Sequence, residues 1–272
     1  MEKSKKDSLI KRVASALILA PLVLWTLYNG WSTAMILILI VSALLAWEWS
    51  EMIPNNKPAV FALAYLIAAV STTAFIYPHY VFYPLSIIAA TTLFVWFKAK
   101  TEKYRGLLTL GVPYIGLSMG ALSWLYTWIN PFAALWLVIS VWSIDIGGYI
   151  VGTTLKGPKL APSISPNKTW AGLFGAIVFS ILTSVAFLYL VLMLLDLPQE
   201  SNWLMIAVIS GGVLAVIAQI GDLLESKVKR YLKIKDSSNL IPGHGGIFDR
   251  VDGLLFSAPF VLIWFVILIM IW

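Results

Sequence analysis

The chain contains no cysteine. Disulfide scaffolds, thiolate metal centres and cysteine nucleophiles are therefore excluded. Charge is also scarce: Asp, Glu, Lys and Arg make up 12% of the 272 residues, against roughly 25% in a soluble domain. The apolar stretches lack the period-2 alternation of a transmembrane barrel. No internal repeat or low-complexity tract occurs. No convincing small-residue cleavage site follows the basic start "MEKSKKDSLIKR", so the first apolar run is expected to stay as an uncleaved helix.

Hydrocarbon is abundant instead. Hydrophobic residues make up 60%, with 13 Trp, 11 Tyr and 13 Phe. Nine apolar spans are read at about 9–28, 34–53, 58–76, 80–97, 107–126, 131–151, 170–195, 203–222 and 253–272, the third and fourth being the shortest. Each can cross a core of roughly 30 Å at about 1.5 Å per residue. Backbone groups in lipid must be satisfied within the segment, so the spans are expected to be helices. The predicted class is an all-α polytopic membrane protein of about nine helices. Residues 1–130 would form an N-terminal multi-span region, and 131–272 a C-terminal catalytic region with long loops at 152–169 and 223–252.

Orientation follows from the cations. With the N-terminus in the cytoplasm and the spans alternating, all 19 Lys and Arg fall on the cytoplasmic side. The outer loops hold only Asp196 and Glu200, as the positive-inside rule requires. The net charge of +6 is thereby explained by topology and anionic lipid, and no basic domain is left for nucleic acid.

The stretch "KIKDSSNLIPGHGGIFDRVD", residues 233–252, is unlike the rest. It carries three Lys or Arg, three Asp, one His and three Gly. Asp249 and Asp252 stand three apart at the start of the ninth span. Asp222 and Glu225 stand three apart at the end of the eighth. On a helix an i,i+3 pair shares a face, so four carboxylates can converge at one mouth. Oxygen ligands without His or Cys suit Mg²⁺, which bridges to substrate phosphates. The plainer reading of Asp249 and Asp252 is that they favour a helix N-terminus.

"PGHGG" can turn backbone N–H groups toward an anion, and it leads into a helix start. Lys227, Lys229, Arg230, Lys235 and Arg250 surround it in sequence, and His244 could donate to a phosphate or serve the structure alone. In the other long loop, Ser165, Lys168 and Thr169 precede the seventh span, where such residues cap a helix or grip a phosphate. Asp145 lies inside the sixth span, beside Gly147 and Gly148. A carboxylate there costs at least roughly 2.5–3.5 kcal/mol on insertion scales, so it should face a polar cavity or an ion-pair partner. The residues thus argue for a Mg²⁺-dependent site at the cytoplasmic membrane face that handles phosphates. A transporter or channel is the alternative from another class, and another lipid-phosphate nucleotidyl- or phosphotransferase the alternative among enzymes. The spaced Asp-Gly, Ala-Arg, Gly-Asp-Asp pattern of CDP-alcohol phosphotransferases is absent.

One segment carries a family resemblance. Ser226, Lys229, Arg230, Lys235, Asp236, His244, Gly245, Gly246, Asp249, Arg250 and Asp252 resemble the signature of the phosphatidate cytidylyltransferases, or CDP-diacylglycerol synthases. "GDLLES" (221–226) and "ISPNKTWAG" (164–172) are also similar to that family, with Ala171 where it commonly has Glu. The resemblance implies the conversion of CTP and phosphatidic acid to CDP-diacylglycerol and pyrophosphate. It further implies a bacterial-type inner membrane, one or more Mg²⁺ ions and a homodimer. On that basis Asp222, Asp249, Asp252 and Glu225 are expected at the metal. Catalytic roles are expected of Asp222, Asp249, Lys229, Lys235 and His244. Substrate contacts are expected of Ser165, Lys168, Lys227, Arg230, Gly245, Gly246, Arg250 and Asp145.

Overall fold

The structure, a computed structural model, describes residues 19–74, 78–198, 200, 202–241 and 245–271. The basic start, the first half of the first span and His244 lie outside them. Among the described residues there are nine α-helices: α1 Leu19–Tyr28, α2 Trp31–Met52, α3 Pro58–Ala74, α4 Phe82–Lys98, α5 Arg105–Trp124, α6 Pro131–Leu155, α7 Trp170–Leu194, α8 Trp203–Tyr231 and α9 Phe248–Ile271. A π-helical turn, Leu125–Ile129, continues α5. Among the described residues six helices (α2, α5 with its π turn, and α6 to α9) are long and apolar enough to cross a membrane; α3 and α4 are shorter, and α1 is described only from Leu19. This is the pattern of a multi-pass membrane protein, and the class is all-α as expected.

Two boundaries differ from the sequence reading. Helix α8 continues past residue 222 to Tyr231. Charge marks the end of hydrocarbon, not the end of backbone hydrogen bonding, and "DLLESKVKR" is rich in helix formers. The i,i+4 pair Glu225–Lys229, at 2.7 Å, supports this extension. The 152–169 loop also has structure. Helix α6 runs to Leu155, and β1 Lys159–Ala161 pairs antiparallel with β2 Ser165–Thr169. Thr169 then caps α7, its Oγ1 accepting from the Gly172 N–H at 3.0 Å.

The chain divides into two units. One comprises the described residues up to Pro131, with Leu232–Val251 and the end of α9 from Leu262. In it α5 packs against α2, α3 and α4. Buried hydrogen bonds tie α5 to its neighbours: Tyr65 OH donates to the Leu108 carbonyl at 2.8 Å, Thr72 Oγ1 to that of Gly116 at 3.0 Å, and Trp124 Nε1 to that of Thr72 at 2.8 Å. The other unit comprises Phe132–Tyr231 with Asp252–Val261 of α9. Here α7 packs along α8, and β2 touches both. Helix α7 also lies close on α6 at Gly147, where a Cβ would strike Phe179 and the Gly175 carbonyl.

Candidate functional site

In the second unit, one ligand oxygen each from Asp222, Glu225 and Asp252 lies within 4.8 Å of the other two. The first two carboxylates share a face of α8, and the third comes from α9. What brings the helices together there is Gly221. A Cβ at that position would sit 2.5 Å from Phe256 Cβ and 3.2 Å from the Asp252 carbonyl oxygen. The glycine therefore allows α9 to lie against α8 where both carry acids.

The trio is crowded with negative charge. Asp222, Glu225 and Asp145 of α6 all repel Asp252. Two lysines oppose them. Lys168, at the end of β2, forms an ion pair with Asp222, and Lys229 with Glu225. Glu225 is buried, and Asp222 and Asp252 are half-buried. Ser226 Oγ donates to Asp222 at 3.4 Å, and the Gly253 N–H to Asp252 at 2.8 Å. The donor set is all carboxylate oxygen, convergent and partly withdrawn from water. Such a set fits a hard divalent cation. Nearby, Arg230 Nε donates to the Ile164 carbonyl at 3.3 Å, joining the end of α8 to the hairpin turn. Ser165 is half-buried on β2, and Lys227 and Arg230 are exposed.

Asp249 belongs to the first unit and is not one of this trio. Its Oδ2 accepts from the Gly246 N–H at 2.8 Å, the Ser237 N–H at 2.9 Å and Ser237 Oγ at 3.0 Å. The Gly246 N–H, expected to face an anion, thus donates to Asp249. Gly245 has φ +84°, which glycine adopts without penalty, and its carbonyl accepts from the Ile241 N–H at 2.8 Å. Lys235 and Arg250 are exposed in the same unit.

Two buried acids, Glu48 and Glu102, were not singled out in the sequence. Glu48, near the end of α2, is 0% exposed. It accepts from the N–H groups of Ile247 and Phe248 at 2.9 and 2.7 Å, from Ser238 Oγ at 2.5 Å and from Ser237 Oγ at 3.4 Å. Beside it the Phe248 ring packs on Trp49 and Tyr114, with centroids 5.1 and 5.9 Å away, and those two rings also meet at 5.7 Å. The signal that could have found Glu48 is the one applied to Asp145: an acid inside an apolar span needs a partner.

Comparison with known proteins adds to this geometry. Residues 10–268 match a family described as "Cytidylyltransferase family". A phosphatidate cytidylyltransferase of Brucella suis is 33% identical over 258 residues, covering 93% of this chain and 91% of that protein. One from Rickettsia bellii is 37% identical over 182 residues, covering 65% of this chain and 77% of that protein. One from Bacillus subtilis is 42% identical over 123 residues, covering 45% and 43% respectively.

Proposed function

The chain belongs to the cytidylyltransferase family, and on that premise we propose that it transfers the cytidylyl group of CTP to phosphatidic acid. A phosphate oxygen of phosphatidic acid attacks the α-phosphorus of CTP. The bond from that phosphorus to the oxygen bridging toward the β-phosphorus breaks, and pyrophosphate leaves with the electron pair. The products are CDP-diacylglycerol and pyrophosphate. The attacking phosphate is already ionised, so no strong general base is needed. Both reactants are polyanions, so the demands on the protein are charge neutralisation and in-line positioning.

The observation that carries this reading beyond the family is the convergence of Asp222, Glu225 and Asp252. These three would hold Mg²⁺, one ion or more. A bound divalent ion would supply positive charge to the triphosphate and the leaving group. Asp249 is retained as a further proposed ligand. Lys168, already turned onto Asp222, and Lys229 would hold phosphate oxygens, with Ser165 as a hydroxyl donor. Lys227, Arg230, Lys235 and Arg250 are exposed cations suited to drawing in CTP. His244, Gly245 and Gly246 would shape the triphosphate-binding loop. Asp145, exposed on an otherwise apolar helix, would face the lipid head group.

The site would face the cytoplasm, where CTP is, from the inner membrane, where phosphatidic acid is. The placement of all 19 basic residues on one side under the nine-span alternation supports this orientation. A homodimer is part of the reading on the resemblance alone, and cross-linking in native membranes tests it.

The purified chain in detergent, given phosphatidic acid and Mg²⁺, is expected to release pyrophosphate from CTP far faster than from ATP or GTP. Release should stop without Mg²⁺ or without the lipid. Equal rates with all three nucleotides would refute the cytidylyl assignment, and full activity of Asp249→Asn would remove that residue from the metal ligands.

A further inference from the structure

Glu48 lies about 200 residues from the segment it holds, yet four groups converge on its carboxylate, the Ser237 hydroxyl being shared with Asp249. Two are backbone N–H groups at the start of α9, among those a helix leaves without internal partners. The residue before α9 is Ile247, whose side chain cannot cap. Glu48 therefore serves as a cap supplied by another helix, with a negative charge at the positive end of the α9 dipole. The two serines extend the contact to the other end of the loop. Gly246 makes the approach possible: a Cβ there would strike Ser237 Oγ and sit 2.5 Å from Glu48 Oε1. Leaving a carboxylate unpartnered inside an apolar span is costly, so the loop and the acid hold each other.

We propose that Glu48 is a positioning residue for nucleotide binding, fixing residues 237–238, 246–247 and the first turn of α9 through the N–H groups of Ile247 and Phe248 and the two serine hydroxyls. The proposal rests on the reading of this loop as the triphosphate-binding segment. The atoms make a specific demand. Oε1 accepts from Ser238 Oγ and the Ile247 N–H, and Oε2 from Ser237 Oγ and the Phe248 N–H. In Glu48→Gln an NH₂ group replaces one of these oxygens. A serine hydroxyl can turn round and accept from it. A backbone N–H cannot, so one donor is left facing another.

The test compares the wild-type chain with Glu48→Gln and Glu48→Asp, all full length in detergent. Glu48→Gln should raise KM for CTP by about tenfold and leave KM for phosphatidic acid within about twofold, since a loosened loop loses uniform binding. Glu48→Asp, which keeps two acceptor oxygens on a shorter arm, should recover part of the loss. Mn²⁺ binding, followed by its paramagnetic signal, should stay within about twofold. Hydrogen exchange in the 237–252 peptide should speed up by at least about tenfold while α8 stays protected. An unchanged KM for CTP with unchanged exchange would overturn the proposal. So would a fall in active fraction at constant KM, because that marks a purely structural role. If Glu48→Gln does not fold, Ser238→Ala should show the same changes at smaller size, and wild-type behaviour there would overturn the proposal. If the wild-type chain releases no pyrophosphate from CTP, the functional reading falls, and the exchange measurement still decides whether Glu48 holds the loop.

Discussion

Two sets of carboxylates in this protein have opposite surroundings. Glu48 and Asp249 are enclosed by N–H and O–H donors, the single proton of the Ser237 hydroxyl being shared between them. Asp222, Glu225 and Asp252 are enclosed mostly by each other, with two lysines between them. A buried carboxylate is tolerated when donors or cations offset its lost hydration. The first set receives its donors from the fold. In the second set the positive charge falls short of the negative, and that shortfall is what a divalent ion would fill. The difference separates acids whose charge is met by donors of the fold from acids left short of positive charge, even though Asp249 and Asp252 stand three residues apart in the chain.

The comparison breaks most visibly at the crowded set. Asp222→Asn and Asp252→Asn should each lower pyrophosphate release by about 10³-fold, on the order of 4 kcal/mol in the barrier, with Mn²⁺ binding lost in parallel. Activity loss with intact Mn²⁺ binding would move the ion elsewhere. The enclosed set should respond in stability. Phe248→Ala removes one ring of the cluster it forms with Trp49 and Tyr114 and should cost about 3 kcal/mol in unfolding. Mn²⁺ affinity of the folded fraction should be unchanged. Lys168→Met sharpens the contrast inside the crowded set. Without its partner Asp222 becomes more available, so Mn²⁺ should bind more tightly by on the order of 1 kcal/mol, while CTP turnover falls. Weaker Mn²⁺ binding would show that Lys168 supports the ion instead of competing with it. Thr169→Ala removes the α7 cap and should cost about 1 kcal/mol of stability, with only a small change in turnover.

Much of this was legible in the sequence because it depends on neighbours along the chain. Apolar run length gave the helices, and i,i+3 spacing put Asp222 and Glu225 on one face. Long-range pairing was not legible. Lys168 and Asp222 were each singled out, but nothing local says that one meets the other across 54 positions. Glu48 was passed over because "AWEWSEM" reads as the polar end of a span, and its donors, the N–H groups of Ile247 and Phe248, leave no mark on residue type. The α8 extension was missed because hydropathy reports lipid contact and not helicity. Asp249 shows the limit of spacing: its partners are Ser237 and Gly246, chosen by the shape of the loop.

The hairpin between α6 and α7 bears on how this protein can be altered. Lys168 stands one residue before the Thr169 cap of α7, on a strand whose pairing with β1 is irregular between Lys159 and Ala161, so one residue added between Ser165 and Lys168 would disturb the turn that leads to it. Pro162 and Ser163 at the bend are exposed and outside both strands. A fluorophore or affinity peptide grafted there should leave Lys168 on Asp222, whereas the same graft four residues later should not.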